Sequence, residues 1–204
     1  MISRGRVLAA VGVILGFGVV SLLFAGSASL PMRDGVLKLP GLQAPVAVAF
    51  DAYGIPVVAA GDRLDAMRAL GYVTAQDRLF QMDLLRRNSA GRLAEVLGES
   101  GLQADLRQRN LGLSSVAEAV LRRLPEEQRA VLEAYAEGVN AFLEQMTVPP
   151  FEFLLLGYRP ARWSPMDSIL LVVAFLRMLT GSEHDERLRT ARTVLSYVFG
   201  PNPV

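Results

Sequence analysis

The densest group of side chains able to do chemistry is Glu183-His184-Asp185-Glu186. His184 is the sole histidine of the 204 residues, and there is no cysteine. A Ser-His-Asp triad would have to run through His184, and a zinc site built on several histidines is excluded. With no thiol there is no disulfide framework and no Cys nucleophile. Three carboxylates in the first turn of a helix are favoured by the helix dipole, which is the simplest reading of the cluster. The same oxygens could serve a hard cation, but calcium takes six to eight oxygens, so other segments would have to contribute. Ser-x-x-Lys, Gly-x-Ser-x-Gly, a phosphate loop and His-Glu-x-x-His are all missing from the sequence.

Two further polar groups interrupt apolar surroundings. Gln76-Asp77-Arg78 falls in the middle of a helical run. Three successive helical residues span about 200° of arc, so any buried face takes one of them inside. A buried Asp or Arg must be paired and hydrogen-bonded. The expectation is a structural ion pair tying helices together, with a substrate clamp or acid–base role as the other reading. Asp105 and Arg109 are four apart and are expected to give surface or inter-helix support.

The elements that must position these groups follow from periodicity. Val46, Val48 and Phe50 alternate with Ala47 and Ala49, Asp51-Ala52-Tyr53-Gly54 is turn chemistry, and Ile55 to Ala59 is a second apolar run. This predicts a β-hairpin over 46–59. From Leu64 to about Arg87 the period becomes helical, and Asn88-Ser89-Ala90-Gly91 stops it. Short helices are expected near 92–97, 102–110 and 114–123. Pro125-Glu126-Glu127 opens a longer one, with Val131, Tyr135, Val139 and Phe142 on its apolar stripe and Glu126, Glu133, Glu137 and Glu144 on its wet side. Pro149-Pro150 ends that region. Ser164-Pro165-Met166-Asp167 starts another helix, with Ser164 as cap. Ile169 to Leu179 is apolar all round except Arg177, which predicts burial on several sides. A last helix is expected from about Glu183 to Tyr197.

The fold class is therefore α+β: mainly helical, with one hairpin. Two strands alone are marginal. The sheet is expected to be completed by another polypeptide or by a continuation past Val204.

Residues 1–30 read separately from the fold at 31–204. Arg4 and Arg6 precede Val7 to Phe24, an apolar stretch broken only by Ser21, and Ala25-Gly26-Ser27-Ala28-Ser29 follows. A positive start, an apolar run and a small-residue exit describe an export signal. The run is also at the lower limit for a membrane anchor, about 18 residues. Either way the remainder is expected outside the cytoplasm, periplasmic or secreted, touching membrane only through residues 7–24. Apolar residues make up 51% and charged residues 20%, which excludes a disordered chain. The net charge of +1 gives no argument for nucleic acid.

Longer strings carry more than any single residue. They are Gly71-Tyr72-Val73-Thr74-Ala75-Gln76-Asp77-Arg78-Leu79-Phe80-Gln81-Met82-Asp83-Leu84-Leu85-Arg86-Arg87 and Gly91-Arg92-Leu93-Ala94-Glu95-Val96-Leu97-Gly98. Ala134-Tyr135-Ala136-Glu137-Gly138-Val139-Asn140-Ala141-Phe142 and Pro150-Phe151-Glu152-Phe153 follow. Gly157-Tyr158-Arg159-Pro160-Ala161-Arg162-Trp163-Ser164-Pro165-Met166-Asp167 completes the series. Together they resemble the penicillin acylase family, collinearly over about residues 46 to 190. The hairpin departs slightly. Phe50-Asp51 and Pro56-Val57-Val58 stand where the family usually has Arg-Asp and Pro-His-Ile.

The resemblance implies an N-terminal-nucleophile amidohydrolase, exported as a precursor and cut into an α chain and a larger β chain. The nucleophile, usually Ser, starts the β chain, and its own α-amine is the base. The two chains share an αββα sandwich. This chain then corresponds to the α chain and holds no catalytic residue, and no Gly-Ser or Gly-Thr step follows the last helical run. The implied substrate is an acylated small molecule: a β-lactam, an N-acyl homoserine lactone or a lipopeptide. The helix after Trp163-Ser164-Pro165-Met166-Asp167 would line the acyl pocket, which places Leu176, Met178, Leu179 and Thr180 there. Leu179-Thr180 stand where penicillin G-preferring relatives carry Arg-Phe, which favours an aliphatic acyl chain. Glu183 aligns with the one α-chain ligand of a calcium ion that some relatives hold. The rival expectation is a truncated, non-catalytic exported helical protein that serves binding or structure.

Overall fold

The computed structural model describes residues 31–180 and residue 193. The N-terminal segment 1–30, Glu183, His184 and the helix expected at 183–197 lie outside them. Among the described residues, no helix is long and apolar enough to cross a membrane.

The chain is mainly helical with one two-stranded antiparallel hairpin. Strands β1 (Ala47–Phe50) and β2 (Pro56–Ala59) pair with Ala47 opposite Ala59 and Phe50 opposite Pro56. Asp51 closes the turn, because its Oδ1 accepts the amides of Tyr53 and Ile55, each at 2.8 Å. Gly54 supplies the positive φ of +76° that the turn needs. Val48, Phe50, Pro56 and Val58 are half-buried, while Ala47, Ala49, Val57 and Ala59 stand exposed. The outward face of the hairpin is thus apolar and uncovered.

Seven helices follow among the described residues: α1 (Arg63–Ala90), α2 (Ala94–Leu97), α3 (Glu99–Leu111), α4 (Leu113–Arg123), α5 (Glu126–Gln145), α6 (Phe151–Leu156) and α7 (Pro165–Thr180). Asp62 caps α1, its carboxylate accepting from the amides of Leu64 (2.7 Å) and Asp65 (3.1 Å). Gly91, at φ +66°, ends it in the left-handed conformation. The helix is broken once, at Arg78 (φ −135°, ψ 20°).

α1 and α5 form the central pair, and two glycines set their separation. A Cβ on Gly71 would run into the Tyr135 carbonyl, and one on Gly138 into the Arg68 carbonyl. Each helix therefore presses backbone on backbone at the other's glycine. Below this contact lies the main core of Ala75, Leu79, Met82, Ala136, Val139, Phe153 and Trp163. Phe80 meets Phe153 edge to face, with centroids 5.4 Å apart. A second core joins Leu113 and Ala117 of α4 to Ile169 and Leu170 of α7.

Two expectations need correction. The helix α6 was not foreseen: Pro149-Pro150 ends one helix, but Pro150 also opens the next, and Phe153 anchors that next helix in the core at 1% exposure. The apolar helix α7 is not buried on several sides among the described residues. Only Ile169 and Leu170 are fully buried, and the distal half runs beyond α4, leaving Val172, Phe175, Leu176, Met178 and Leu179 more than half exposed.

Candidate functional site

The start of α7 is fixed tightly. Ser164 Oγ and the Ser164 amide both donate to Asp167 Oδ2, at 2.7 and 2.8 Å, so the pair closes a capping box as the Ser-Pro-x-Asp spacing predicts. The preceding Trp163 backbone is gripped by Asn140 of α5. Its amide donates to Asn140 Oδ1 (2.8 Å), and its carbonyl accepts from Asn140 Nδ2 (2.9 Å). Trp163 Nε1 reaches Ser168 Oγ at 2.9 Å. The proximal end of α7 is thereby held rigidly against α5.

The four residues expected at an acyl pocket lie on the distal half of this helix. Leu176 and Met178 are more than half exposed, and Leu179 is 69% exposed. Thr180 spends its hydroxyl proton on the Leu176 carbonyl at 2.7 Å. Val172, Phe175, Leu176 and Leu179 follow helical spacing and make one bare apolar stripe. Among the described residues the four line no enclosed site.

Beneath the start of α7 sits a buried charge knot. Asp83, 2% exposed, accepts from Arg86 Nε (2.9 Å) and Nη2, from Arg87 Nε (2.8 Å) and from the Tyr158 hydroxyl (2.9 Å). Arg86 also donates to the carbonyls of Ala161 (2.8 Å) and Arg162 (2.9 Å) and lies 3.5 Å from Asp167. Arg87 reaches Glu95 at 2.5 Å. The guanidiniums lie over the rings of Trp163 and Tyr158, at 5.3 and 5.2 Å. The knot joins α1 and α2 to the 158–163 loop and the α7 cap.

Its titration follows from these contacts. Burial alone would raise the Asp83 carboxyl, but the hydrogen bonds and charges of Arg87 and Arg86 outweigh it, and the net shift is downward. Tyr158 is pushed well up, first by burial and then by its bond to the Asp83 carboxylate. Burial would lower Arg87, yet Asp83 and Glu95 hold it above its ordinary value. Asp83 is thus ionised with its oxygens occupied, and Tyr158 keeps its proton. Neither suits proton transfer at neutral pH.

The other buried carboxylates also hold backbone. Asp65, 1% exposed, accepts the amides of Gln43 and Ala44 at 3.0–3.1 Å and Arg68 Nη1 at 3.1 Å, while Arg68 continues to Glu137. Asp105 caps the 93–94 turn through the amides of Leu93 (2.6 Å) and Ala94 (2.8 Å), and Arg109 grips the Gly91 carbonyl at 2.8 Å. The i, i+4 ion pair expected of Asp105 and Arg109 is a correction: each instead holds backbone of the 91–94 turn. Asp77 and Arg78 are a correction. They pair at 2.9 Å but are exposed, at the point where the helix breaks. Gln76 instead pins the Met32 carbonyl at 2.8 Å. Among the described residues no three His, Cys, Asp or Glu side chains gather as a metal site.

A scaffold of saturated carboxylates presenting bare apolar faces is the geometry against which known proteins can be compared. The sequence model of the penicillin amidase family matches residues 45–202. The chain belongs to the penicillin amidase family.

Members of this penicillin amidase family, which comprises amide-hydrolysing acylases, include close relatives of the chain. It is 47% identical over 155 residues to the penicillin acylase 2 proenzyme of Pseudomonas sp. strain SE83, covering 76% of this chain and 20% of that protein. It is 40% identical over 144 residues to the acyl-homoserine lactone acylase QuiP of Pseudomonas aeruginosa, covering 70% of this chain and 17% of that one. The chain spans about a fifth of the length of these curated relatives. Among solved structures, a thermostable penicillin G acylase from Alcaligenes faecalis matches with a TM-score of 0.64 at 28% identity, over 77% of this chain and 85% of that one.

Sequence reasoning passed over the knot. The signal was there in Asp83, Arg86 and Arg87, whose i, i+3 and i, i+4 spacing places both guanidiniums beside one carboxylate.

Proposed function

We propose that this chain is the α-chain region of an exported N-terminal-nucleophile amidohydrolase that cleaves the amide bond of acylated small molecules. A β chain from the same precursor completes the αββα sandwich and supplies the nucleophile, whose free α-amine serves as its base. This chain supplies part of the acyl pocket through Leu176, Met178, Leu179 and Thr180. The observation that carries the reading is a family scaffold with bare apolar surfaces on the hairpin and α7, whose buried carboxylates are taken up by arginines and backbone amides. The match to 85% of one solved chain but only a fifth of a proenzyme supports the same division. A calcium ion would take Glu183 as its oxygen ligand from this chain, with the remaining oxygens from elsewhere.

The exposed distal half of α7 supports an aliphatic acyl group: Leu176, Met178 and Leu179 are aliphatic or flexible, Met fits irregular apolar shapes, and Phe175 is the one aromatic among them. Each methylene buried against them contributes about 0.8 kcal/mol, so four more carbons favour binding by about 3 kcal/mol. A β-lactam, N-acyl homoserine lactone or lipopeptide with a medium or long aliphatic acyl group is the fitting substrate. The test is kcat/KM of the complete enzyme on hexanoyl to dodecanoyl amides against phenylacetyl amide, all with one leaving amine. Faster aliphatic turnover, reduced by Met178→Ala, is expected. Faster phenylacetyl turnover that ignores Met178→Ala would reject both the acyl assignment and the place of α7.

A further inference from the structure

Residues 31–46 lie as a strap over the first half of α1 and the inner face of the hairpin. Polar pins hold it: Gln76 Nε2 donates to the Met32 carbonyl (2.8 Å), Gln145 Nε2 donates to the Lys38 carbonyl (2.9 Å), and Asp65 holds the Gln43 and Ala44 amides. Between the pins the strap stands off the helix and leaves a half-open groove of about 360 Å³. Its walls include Leu37, Leu39, Val48, Phe50, Tyr72 and Val73. No residue of α7 lines it, so it is separate from the acyl stripe. The volume sits at the small end of the range for ligand pockets, about 300–1,000 Å³.

The charged lining residues are Arg33 and Asp34. The Arg33 guanidinium lies 5.5 Å over the Phe50 ring, and among the described residues it makes no ion pair. An apolar groove, aliphatic but for Phe50 and Tyr72, with a guanidinium on its lining matches a ligand with an apolar tail and one anionic head. The tail gains by leaving water, and the planar fork suits a carboxylate. Asp34 beside it opposes a more highly charged head such as phosphate. We propose that this groove binds one medium-chain aliphatic carboxylate, its chain against Val48, Phe50 and Val73 and its head group on Arg33. The groove is separate from the acyl stripe, and only the hydrolysis controls of its test rest on the acylase reading.

The experiment uses the protein produced from its complete reading frame and a decanoic acid carrying a diazirine at its far end, with the photolabelled peptides mapped by mass spectrometry. Labelling within 46–50 and 69–76 is expected, competed by decanoate. Arg33→Gln should weaken competition by decanoate at least tenfold, leave competition by decanol unchanged, and leave amide hydrolysis unchanged. Val48→Trp, which fills the groove, should remove the label with hydrolysis intact. Label absent from these peptides, label confined to 172–180, or no effect of Arg33→Gln on decanoate would overturn the proposal. So would hydrolysis falling in step with the label, since the groove would then belong to the acyl site.

Discussion

Replacing Asp83 by Asn isolates the knot. The carboxylate receives three guanidinium N–H groups and the Tyr158 hydroxyl, and both arginine side chains are under 10% exposed. Asparagine keeps the shape but removes the charge that two buried cations depend on. Breaking one partner of such a pair costs about 3–5 kcal/mol. Arg86 keeps its two carbonyl acceptors and Arg87 keeps Glu95, which points to the lower half of that range. For a unit of this size the melting temperature should fall by about 6–16 °C, and by less in the larger complete enzyme. The control is Asp77→Asn, whose exposed pair is worth about 1 kcal/mol or less. The pH dependence carries a definite sign. Because the folded Asp83 pKa is lowered, its stabilisation is fully present above the unfolded aspartate value of about 4 and is lost as pH falls through the folded value. Differential scanning calorimetry of the complete enzyme at pH 7 and below pH 4 should show a wide gap between wild type and Asp83→Asn that narrows in acid. Equal melting of Asp83→Asn and Asp77→Asn at pH 7 would refute the reasoning.

Gly138→Ala should destabilise by about 1–3 kcal/mol or more, because the added methyl meets the Arg68 carbonyl; unchanged urea midpoints would contradict the α1–α5 contact. Asn140→Ala strips both hydrogen bonds from the Trp163 backbone and should cost about 1–3 kcal/mol, read by thermal melting with Ser168→Ala as the milder comparison. Tyr158→Phe removes one donor to Asp83 and should cost about 1 kcal/mol without altering kcat, and a large kcat loss at normal stability would mean the hydroxyl takes part in chemistry.

The hairpin and the α1–α5 pair were legible because their signals are local. Alternation set the strands, the 88–91 stop ended α1, and the α5 stripe from Val131 to Phe142 kept its period over about three turns. The capping box at Ser164 was legible for the same reason. What escaped depends on tertiary context. The six residues of α6 are too few to show a period, and Phe153 decides their place by filling the core. The exposure of Asp77 and Arg78 goes with a helix break that no Pro or Gly announces. The exposed half of α7 reads as a buried helix in one dimension, because composition does not say which polypeptide covers it. The proposed acyl-pocket residues Leu176, Met178, Leu179 and Thr180 came from family resemblance alone.

The central claim is a division of labour: this chain scaffolds and lines, and a second chain reacts. It is tested most directly by producing the complete reading frame, separating the mature polypeptides, and assaying decanoyl-amide hydrolysis by each alone and by the pair. The account predicts two polypeptides, no turnover by the one containing residues 31–180, and turnover by the pair that disappears when the terminal amine of the other is acylated. Amide hydrolysis by the present chain alone, or full activity of the pair after that acylation, would contradict it.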